Sequence, residues 1–247
     1  MAVSTAGRTL TERHRVAQLK LRSRFLRKFA ALWPQLDISR LDETSAPWME
    51  ISLGLIRDFR YDSAVLSHDY YSRFRNVEIG TPFEQPRLIV KDLPPEVRGS
   101  LTVTGPVRIK EHLSNGIPAQ RANREALVAA SRSASRHVLN GGRDALYADV
   151  DKDEIALGYA RVTDGDPCYF CAMLASRGPA YKTGRSAFYA EGGGKYHDGC
   201  GCTVEPVFKG SEWPGRAREY ENLWKKAGGD INKFRKLIES SRPGGGS

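Results

Sequence analysis

All four cysteines of the 247-residue chain lie between Cys168 and Cys202. Cys168 and Cys171 form a C-x-x-C pair, a spacing that lets one tight turn aim two thiolates at a single ion. His197, Cys200 and Cys202 follow, so five candidate ligands compete for the four positions of a tetrahedral site. A metal centre here would fasten the glycine-rich loop from Arg177 to Lys195, which makes this cluster the strongest constraint on the fold.

The spacing leaves two ligand sets open. Residues i and i+2 of a strand point to the same side, so Cys200 and Cys202 could both face the metal and leave His197 without a bond to it. In the second set His197 replaces Cys202. Two disulfides or four buried thiols are the competing interpretations, and the clustering at metal-like spacing, without a secretory signal, favours zinc over both. Four protein ligands would leave no position for a substrate or an activated water, so the sequence predicts a structural site.

The order of these residues also resembles a known family. C-x-x-C, a long loop, then H-x-x-C-x-C and a short strand ending in proline is similar to the Mu F-like minor head proteins of tailed bacteriophages, above all those of actinobacterial phages. The resemblance covers roughly residues 119–208. Many relatives carry Pro and Arg where this chain has Asp198 and Gly201, so any role of that Arg does not transfer. The matching residues are Cys168, Cys171, Ala172, Gly178, His197, Cys200, Cys202, Val204 and Pro206.

The net charge of +9 is concentrated at the two ends of the chain. Residues 1–40 hold nine Lys and Arg against Glu12 and Asp37, and residues 209–242 hold nine against five acidic residues. Basic ends favour contact with phosphate or with an acidic protein surface. The chain has no run of eighteen apolar residues and no apolar signal segment near Met1, so we expect a protein made and kept in a reducing host cytoplasm.

The N-terminal region predicts a helix with a basic face. Thr9 and Glu12 have capping-box spacing, and Val16, Leu19, Leu26, Phe29 and Trp33 recur at helical spacing until Pro34. Three interpretations of the opposite face stay open: a solvated surface, a phosphate-binding surface, or a helix lying on a membrane surface. The candidate nucleic-acid-binding residues on that face are Arg13, Lys20, Arg24, Arg27 and Lys28.

The rest of the chain predicts a predominantly helical α+β fold with four regions. A second helix from near Ser45, with Pro47 in its first turn, to about Phe74 completes a helical basic region, residues 1–80. Its apolar face would carry Trp48, Ile51, Leu55, Phe59, Leu66, Tyr70 and Phe74. Residues 81–118 form a Pro-rich connector, with short strands at Arg87–Lys91 and Ser100–Thr104.

Residues 119–208 form the small zinc-stabilised α+β domain. It would open with a helix from Ala119 to Leu139 that Gly141 and Gly142 stop, and close with a strand from Thr203 to Phe208. Residues 209–247 form a basic helical segment and a flexible tail.

Catalytic motifs are not evident. P-C-x-x-C is half of the zinc deaminase signature, but no Glu before Cys168 follows a His or Cys by two residues, as that chemistry requires. No G-x-S-x-G occurs. Mu F-like proteins can carry toxin or nuclease domains as C-terminal fusions, but about forty residues after the cysteine region are too few for one. We therefore expect no enzyme.

The resemblance implies a minor capsid protein of a tailed bacteriophage, acting in head morphogenesis near the portal. Its expected location is the virion, in the head interior or at the portal vertex. Its expected partners are the portal or major capsid protein, with packaged double-stranded DNA as a further candidate and no membrane. The alternative is a zinc-stabilised nucleic-acid-binding protein of a bacterial host.

Overall fold

A computed structural model describes residues 3–81, 83–88, 93–165, 167–181, 196–211 and 213–241. Short 3₁₀ turns at Trp33–Gln35 and Ile38–Arg40 join α1 to α2, and a π turn at Val103–Val107 joins α3 to α4. The arrangement confirms a predominantly helical α+β fold. In chain order the elements are α1 (Thr5–Leu32), α2 (Leu41–Ile79), α3 (Glu96–Thr102), α4 (Arg108–Ser114), α5 (Ala119–Lys152), β1 (Gly158–Val162), α6 (Tyr169–Ala175), β2 (Ala180–Tyr181), β3 (Thr203–Val207), α7 (Ala217–Lys226) and α8 (Ile231–Ser240).

The three long helices α1, α2 and α5 pack around one aromatic core. Phe25 of α1 lies edge-on to Phe59 of α2, with ring centroids 5.5 Å apart, and Trp33 meets Trp48 in the same way at 5.4 Å. These pairings show that α1 and α2 run antiparallel. α5 faces this core through Ala126, Ala130 and Ala134, whose short side chains let the helices approach closely.

The predicted starts of the first two helices are wrong. α1 begins at Thr5 because the Ser4 hydroxyl caps it by accepting from the Gly7 amide at 2.9 Å. Thr9 therefore lies inside the helix, where its hydroxyl donates to the Thr5 carbonyl, and Glu12 pairs with Arg15 instead of closing a capping box. α2 begins at Leu41, so Pro47 lies within the helix rather than in its first turn.

The buried face of α1 also differs from the prediction, because it is partly polar. Thr11, His14 and Gln18 are buried, while the predicted Val16, Leu19 and Leu26 are only half-buried. Gln18 Nε2 donates to the Ser63 carbonyl at 3.0 Å, and His14 Nε2 lies 3.0 Å from the Ser67 hydroxyl. Polar residues that satisfy one another across two helices can be buried, and an apolar pattern does not detect them.

α5 continues to Lys152 instead of ending at the glycine pair. Gly141 and Gly142 lie directly against α2, and a Cβ on Gly142 would come within 2.7 Å of the Ser63 carbonyl oxygen. The two glycines therefore serve close helix packing inside a helix rather than termination, which their sequence alone does not distinguish.

The sheet is antiparallel with strand order β2-β1-β3, and Val162 of β1 pairs with Thr203 of β3. The predicted closing strand is thus confirmed for Thr203–Val207. The predicted strand at Ser100–Thr104 is wrong, because helix α3 and the following π turn place Val97 and Leu101 together in the core. Of the predicted strand at Arg87–Lys91, Arg87 and Leu88 have no regular structure and the remainder lies outside the described residues.

α7 and α8 form a C-terminal hairpin within the region predicted to be helical. Tyr220, Phe234 and Ile238 of this hairpin are buried with Ala172 and Leu174 of α6. No helix in the described part of the chain is long and apolar enough to cross a membrane. The division into four regions stays a prediction.

Candidate metal centre

Cys168 and Cys171 are placed by the first turn of α6. Cys168 is the N-cap residue, with an extended backbone, and its Sγ accepts from the Cys171 amide at 3.4 Å. The cap turns the Cys168 side chain back over the helix start, where Cys171 also points. The C-x-x-C spacing thus folds as predicted, into one turn that presents two sulfurs.

The second group of ligands comes from a tight turn before β3. The Cys200 amide donates to the His197 carbonyl at 3.0 Å, and the Gly199 amide donates to the Arg132 carbonyl of α5 at 3.1 Å. Gly199 has a φ of +83°, which strains any residue with a side chain. The turn therefore reverses the chain within reach of α5 and delivers Cys200 and Cys202 to the start of β3.

The structure brings all five predicted ligands together. His197 Nε2 lies 3.0 Å from Cys168 Sγ and 3.4 Å from Cys171 Sγ, and Cys171 Sγ lies 3.5 Å from Cys200 Sγ. Two triads result: Cys168, Cys171 and His197 form one, and Cys171, Cys200 and Cys202 form the other, with the ligand atoms of each within 4.8 Å of one another. Cys171 belongs to both triads, so this cluster could hold a metal ion, and the choice between the two predicted four-ligand sets stays open.

The cysteines are free thiols, so the disulfide interpretation is wrong. A disulfide needs about 2.05 Å between sulfurs, far less than the 3.5 Å between Cys171 and Cys200. Cys171, Cys200 and Cys202 are buried and Cys168 is half-buried. Thiolate sulfur and imidazole nitrogen are donors that zinc prefers, so these residues fit zinc.

Two buried arginines surround this cluster, and the sequence analysis missed both. Arg143 of α5 donates to the carbonyls of Cys200 and Cys202, at 2.9 and 2.8 Å from Nη2. Arg161 of β1 lies with its Nη1 3.9 Å from Cys171 Sγ. The Tyr196 ring lies between the two guanidinium groups, at 3.5 Å from Arg143 and 4.0 Å from Arg161.

These arginines match the charge of a thiolate-bound metal. A divalent metal with four thiolates carries two negative charges, and with three thiolates and a neutral imidazole it carries one, so buried cations beside it lower the cost of burying it. Arg143 and Arg161 are only 3% and 4% exposed. Arg143 could have been found only by continuing α5 past Gly142, where the predicted helix stopped.

The thiols also shift one another's acidity. A hydrogen bond with Cys171 is the main cause that lowers the pKa of Cys168 to about 5 and that of Cys200 well below its usual range, while the same contacts raise the pKa of Cys171. A hydrogen bond with Cys200 raises the pKa of His197 to about 9. The cluster thus favours the thiolate form, which binds metal, at Cys168 and Cys200, whereas the pKa of Cys171 and of Cys202 is raised.

The space around Gly201 leaves no room for a side chain between Cys200 and Cys202. A Cβ at this position would come within 2.6 Å of Asp164 Oδ2 and 3.2 Å of Leu19 Cδ2. Asp198, the other departure from the Mu F-like pattern, pairs with Arg136 of α5 at 2.6 Å.

The predicted basic residues of α1 form a separate surface. Arg13, Lys20, Arg24, Arg27 and Lys28 are all exposed, and none is among the metal-cluster residues. Arg24 and Lys28 lie over the Phe59 ring, at 5.8 and 5.5 Å from its centroid, so two of the five also pack against α2. Their binding partner stays a prediction.

A family profile and two bacteriophage proteins each match this chain over most of its length. The profile of the family described as VG15 protein matches residues 5–227. The Gene 15 protein of Mycobacterium phage D29 is 27% identical over 248 residues, which cover 85% of this chain and 84% of the relative. The Gene 15 protein of Mycobacterium phage L5 is 26% identical over 253 residues, which cover 82% and 79%. No solved structure matches the chain.

Proposed function

We propose that this chain, which belongs to the VG15 protein family, is a minor capsid protein of a tailed bacteriophage that acts in head morphogenesis near the portal. Its similarity to the Gene 15 proteins of two mycobacteriophages indicates a bacteriophage protein. The more specific proposal, a role in the phage head, rests on the order of cysteines and histidine, which resembles that of Mu F-like proteins. The single observation that carries it is the convergence of those five residues on one centre.

The proposed role is structural rather than enzymatic. Four bonds to one zinc would join the start of α6 to the turn before β3, two segments about thirty residues apart in the sequence. In this role Cys168 and Cys171 hold the metal from the helix, and Cys200 with Cys202 or His197 holds it from the turn. The metal supplies folding free energy and no chemistry.

The partner surfaces proposed for this role are the basic face of α1 and the basic C-terminal hairpin. Portal or major capsid protein, or packaged double-stranded DNA, would meet one of these faces. The exposure of the five α1 cations supports contact with an anionic partner, whether phosphate or acidic protein.

Mass spectrometry of purified particles of the encoding phage tests this proposal. We expect the protein in particles at low copy number relative to the major capsid protein, and cross-linked to the portal. Phage lacking the gene should fail to yield infectious heads, and the wild-type gene supplied in trans should restore them. Absence from particles, together with normal heads in the deletion, would reject the virion role.

A further inference from the structure

An arginine-lined groove opens beside the metal centre and has no part in the role proposed above. It has a volume of about 470 Å³ and lies between the π turn, the start of α4 and the outer side of α5. Asp198, next to the candidate ligand His197, also lines it. We call it the arginine groove; the cations that line it are Arg108, Arg124 and Arg132.

The acidic residues of the groove are already neutralised by other cations. Glu125 pairs with Arg121 at 2.8 Å and with His112 at 3.2 Å. Asp198 pairs with Arg136 at 2.6 Å. Since neither Arg121 nor Arg136 lines the groove, its two carboxylates leave the groove arginines with surplus positive charge.

The groove arginines have few partners of their own. Arg132 donates from Nη2 to the Asp198 carbonyl at 3.3 Å, which uses one of its five N–H groups. Within the described part of the chain, Arg108 and Arg124 form no salt bridge, and Arg108 Nε is buried without a hydrogen-bond partner. The three guanidinium groups outnumber the two carboxylates that line the same cavity, and they repel one another unless a further anion lies among them.

The chemistry of the cations and the volume of the groove indicate the kind of anion. Arg124 and Arg132 are eight residues apart on α5, or about 12 Å at 1.5 Å per residue, with Val128 between them and 57% exposed. A guanidinium fork matches a phosphate in a bidentate fashion, and a phosphate carries more charge than a single carboxylate. A cavity of this volume also lies within the usual range of small-ligand sites.

We propose that the arginine groove is a phosphate-binding site, which takes adjacent phosphate groups of a nucleotide or of a nucleic-acid backbone. The site joins α4 and α5 to the turn that carries His197, so a bound phosphate would also brace the turn of the metal centre. This inference does not depend on the virion role and concerns residues outside the basic face of α1.

Calorimetric titration of the full chain with pyrophosphate tests the proposal. Arg124→Gln is the main variant, because Arg124 is exposed and the fold does not depend on it. We expect it to weaken pyrophosphate binding at least about tenfold, as the loss of a charged hydrogen bond implies. Arg108→Gln should weaken binding similarly. Arg57→Gln removes one exposed charge from α2, outside the groove, and should leave the affinity unchanged.

A second arm identifies the source of the phosphate. If it is a nucleic acid, a short DNA duplex should displace pyrophosphate, and Arg124→Gln should reduce this displacement even when the five α1 cations are replaced by Gln. If pyrophosphate binds and the duplex does not compete, the source is a free nucleotide, and the site stands. Three results would overturn the proposal. The chain does not bind pyrophosphate, or Arg57→Gln weakens pyrophosphate binding as much as Arg124→Gln does. The third is an acidic peptide that binds and that pyrophosphate cannot displace.

Discussion

The helical core and the cysteine region are held together by different means. In the core of α1, α2 and α5, large side chains such as Phe25, Phe29 and Trp48 are 0% exposed, and their burial supplies the stability. In the cysteine region the sheet has two five-residue strands and one of two residues, and the buried groups include three thiols and two arginines. The helical region is stabilised mainly by apolar burial, and we propose that the cysteine region depends also on what its thiols bind.

Truncation in the helical core should have the largest effect on global unfolding. Phe25→Ala removes a ring packed on Phe29 and Phe59 and should lower the free energy of unfolding by about 3–5 kcal/mol. Denaturant titration measures it, and zinc content should not change. Tyr61→Ala on α2 removes a ring that is 49% exposed and should change stability by less than about 0.5 kcal/mol. Equal losses in the two variants would refute the location of the core.

The contact between the two regions should make stability depend on pH. Glu205 of β3 is 3% exposed and accepts from the Thr11 hydroxyl at 2.5 Å, and burial raises its pKa to about 7. The folded chain therefore holds the proton more tightly than the unfolded chain, whose carboxyl has a pKa near 4.5. Its contribution is complete below about pH 4.5 and is lost as pH rises through 7.

Glu205→Gln should remove this dependence. The displacement of the pKa from 4.5 to about 7 corresponds to about 3 kcal/mol, so wild-type stability should fall by an amount of that order between pH 4.5 and 8 relative to the variant. Melting curves across this range measure the difference. Parallel profiles for the two proteins would show that the carboxyl is not buried against α1.

The two predicted ligand sets differ in what His197 contributes. If the four cysteines hold the metal, His197→Ala should retain zinc with an affinity about 10–100-fold lower, as for a neighbour that orients ligands. Cys200→Ser should lose the metal under either set, because three ligands leave the tetrahedral shell incomplete. Competition with a chromogenic chelator measures both variants. Complete loss of zinc in His197→Ala would assign His197 as a ligand.

The smallest effect on stability is expected from the basic face of α1. Replacing its five cations with Gln should leave the melting temperature nearly unchanged, since exposed charges contribute little. If four or five of them bind duplex DNA, the logarithmic salt dependence of binding should have a slope of roughly −4 and flatten in the variant. Two results in the variant would reject the DNA interpretation of this face. Either the variant binds DNA with the same salt slope as the wild type, or it loses binding to a portal or capsid protein instead.

Local sequence patterns predicted several of the elements but not the contacts between them. C-x-x-C and the closing strand were predictable because the spacing of the cysteines and the short strand that follows them are local in the sequence. The course of α5 was not, since Gly141 and Gly142 are explained only by α2, a distant segment, pressing against them. The polar residues His14 and Gln18 were missed for the same reason, because their partners Ser67 and Ser63 lie on another helix.

The same limit applied to the candidate site. Its five ligands could be predicted because their spacing is a property of two short segments. Arg143 and Arg161 could not, because they reach the cluster from α5 and β1 and carry no motif. The arginine groove was missed likewise, since Arg108 and Arg124 meet only when α4 packs on α5.

Metal content, measured together with hydrogen exchange, tests the central claim most directly. Elemental analysis of protein prepared without added metal should find one zinc per chain. Its removal by a chelator should speed amide exchange in α6 and in the α7–α8 hairpin that packs on it, while α1, α2 and the first half of α5 stay protected. Protein without zinc, whose α6 amides exchange as slowly as those of α2 and do not respond to chelator, would contradict the account.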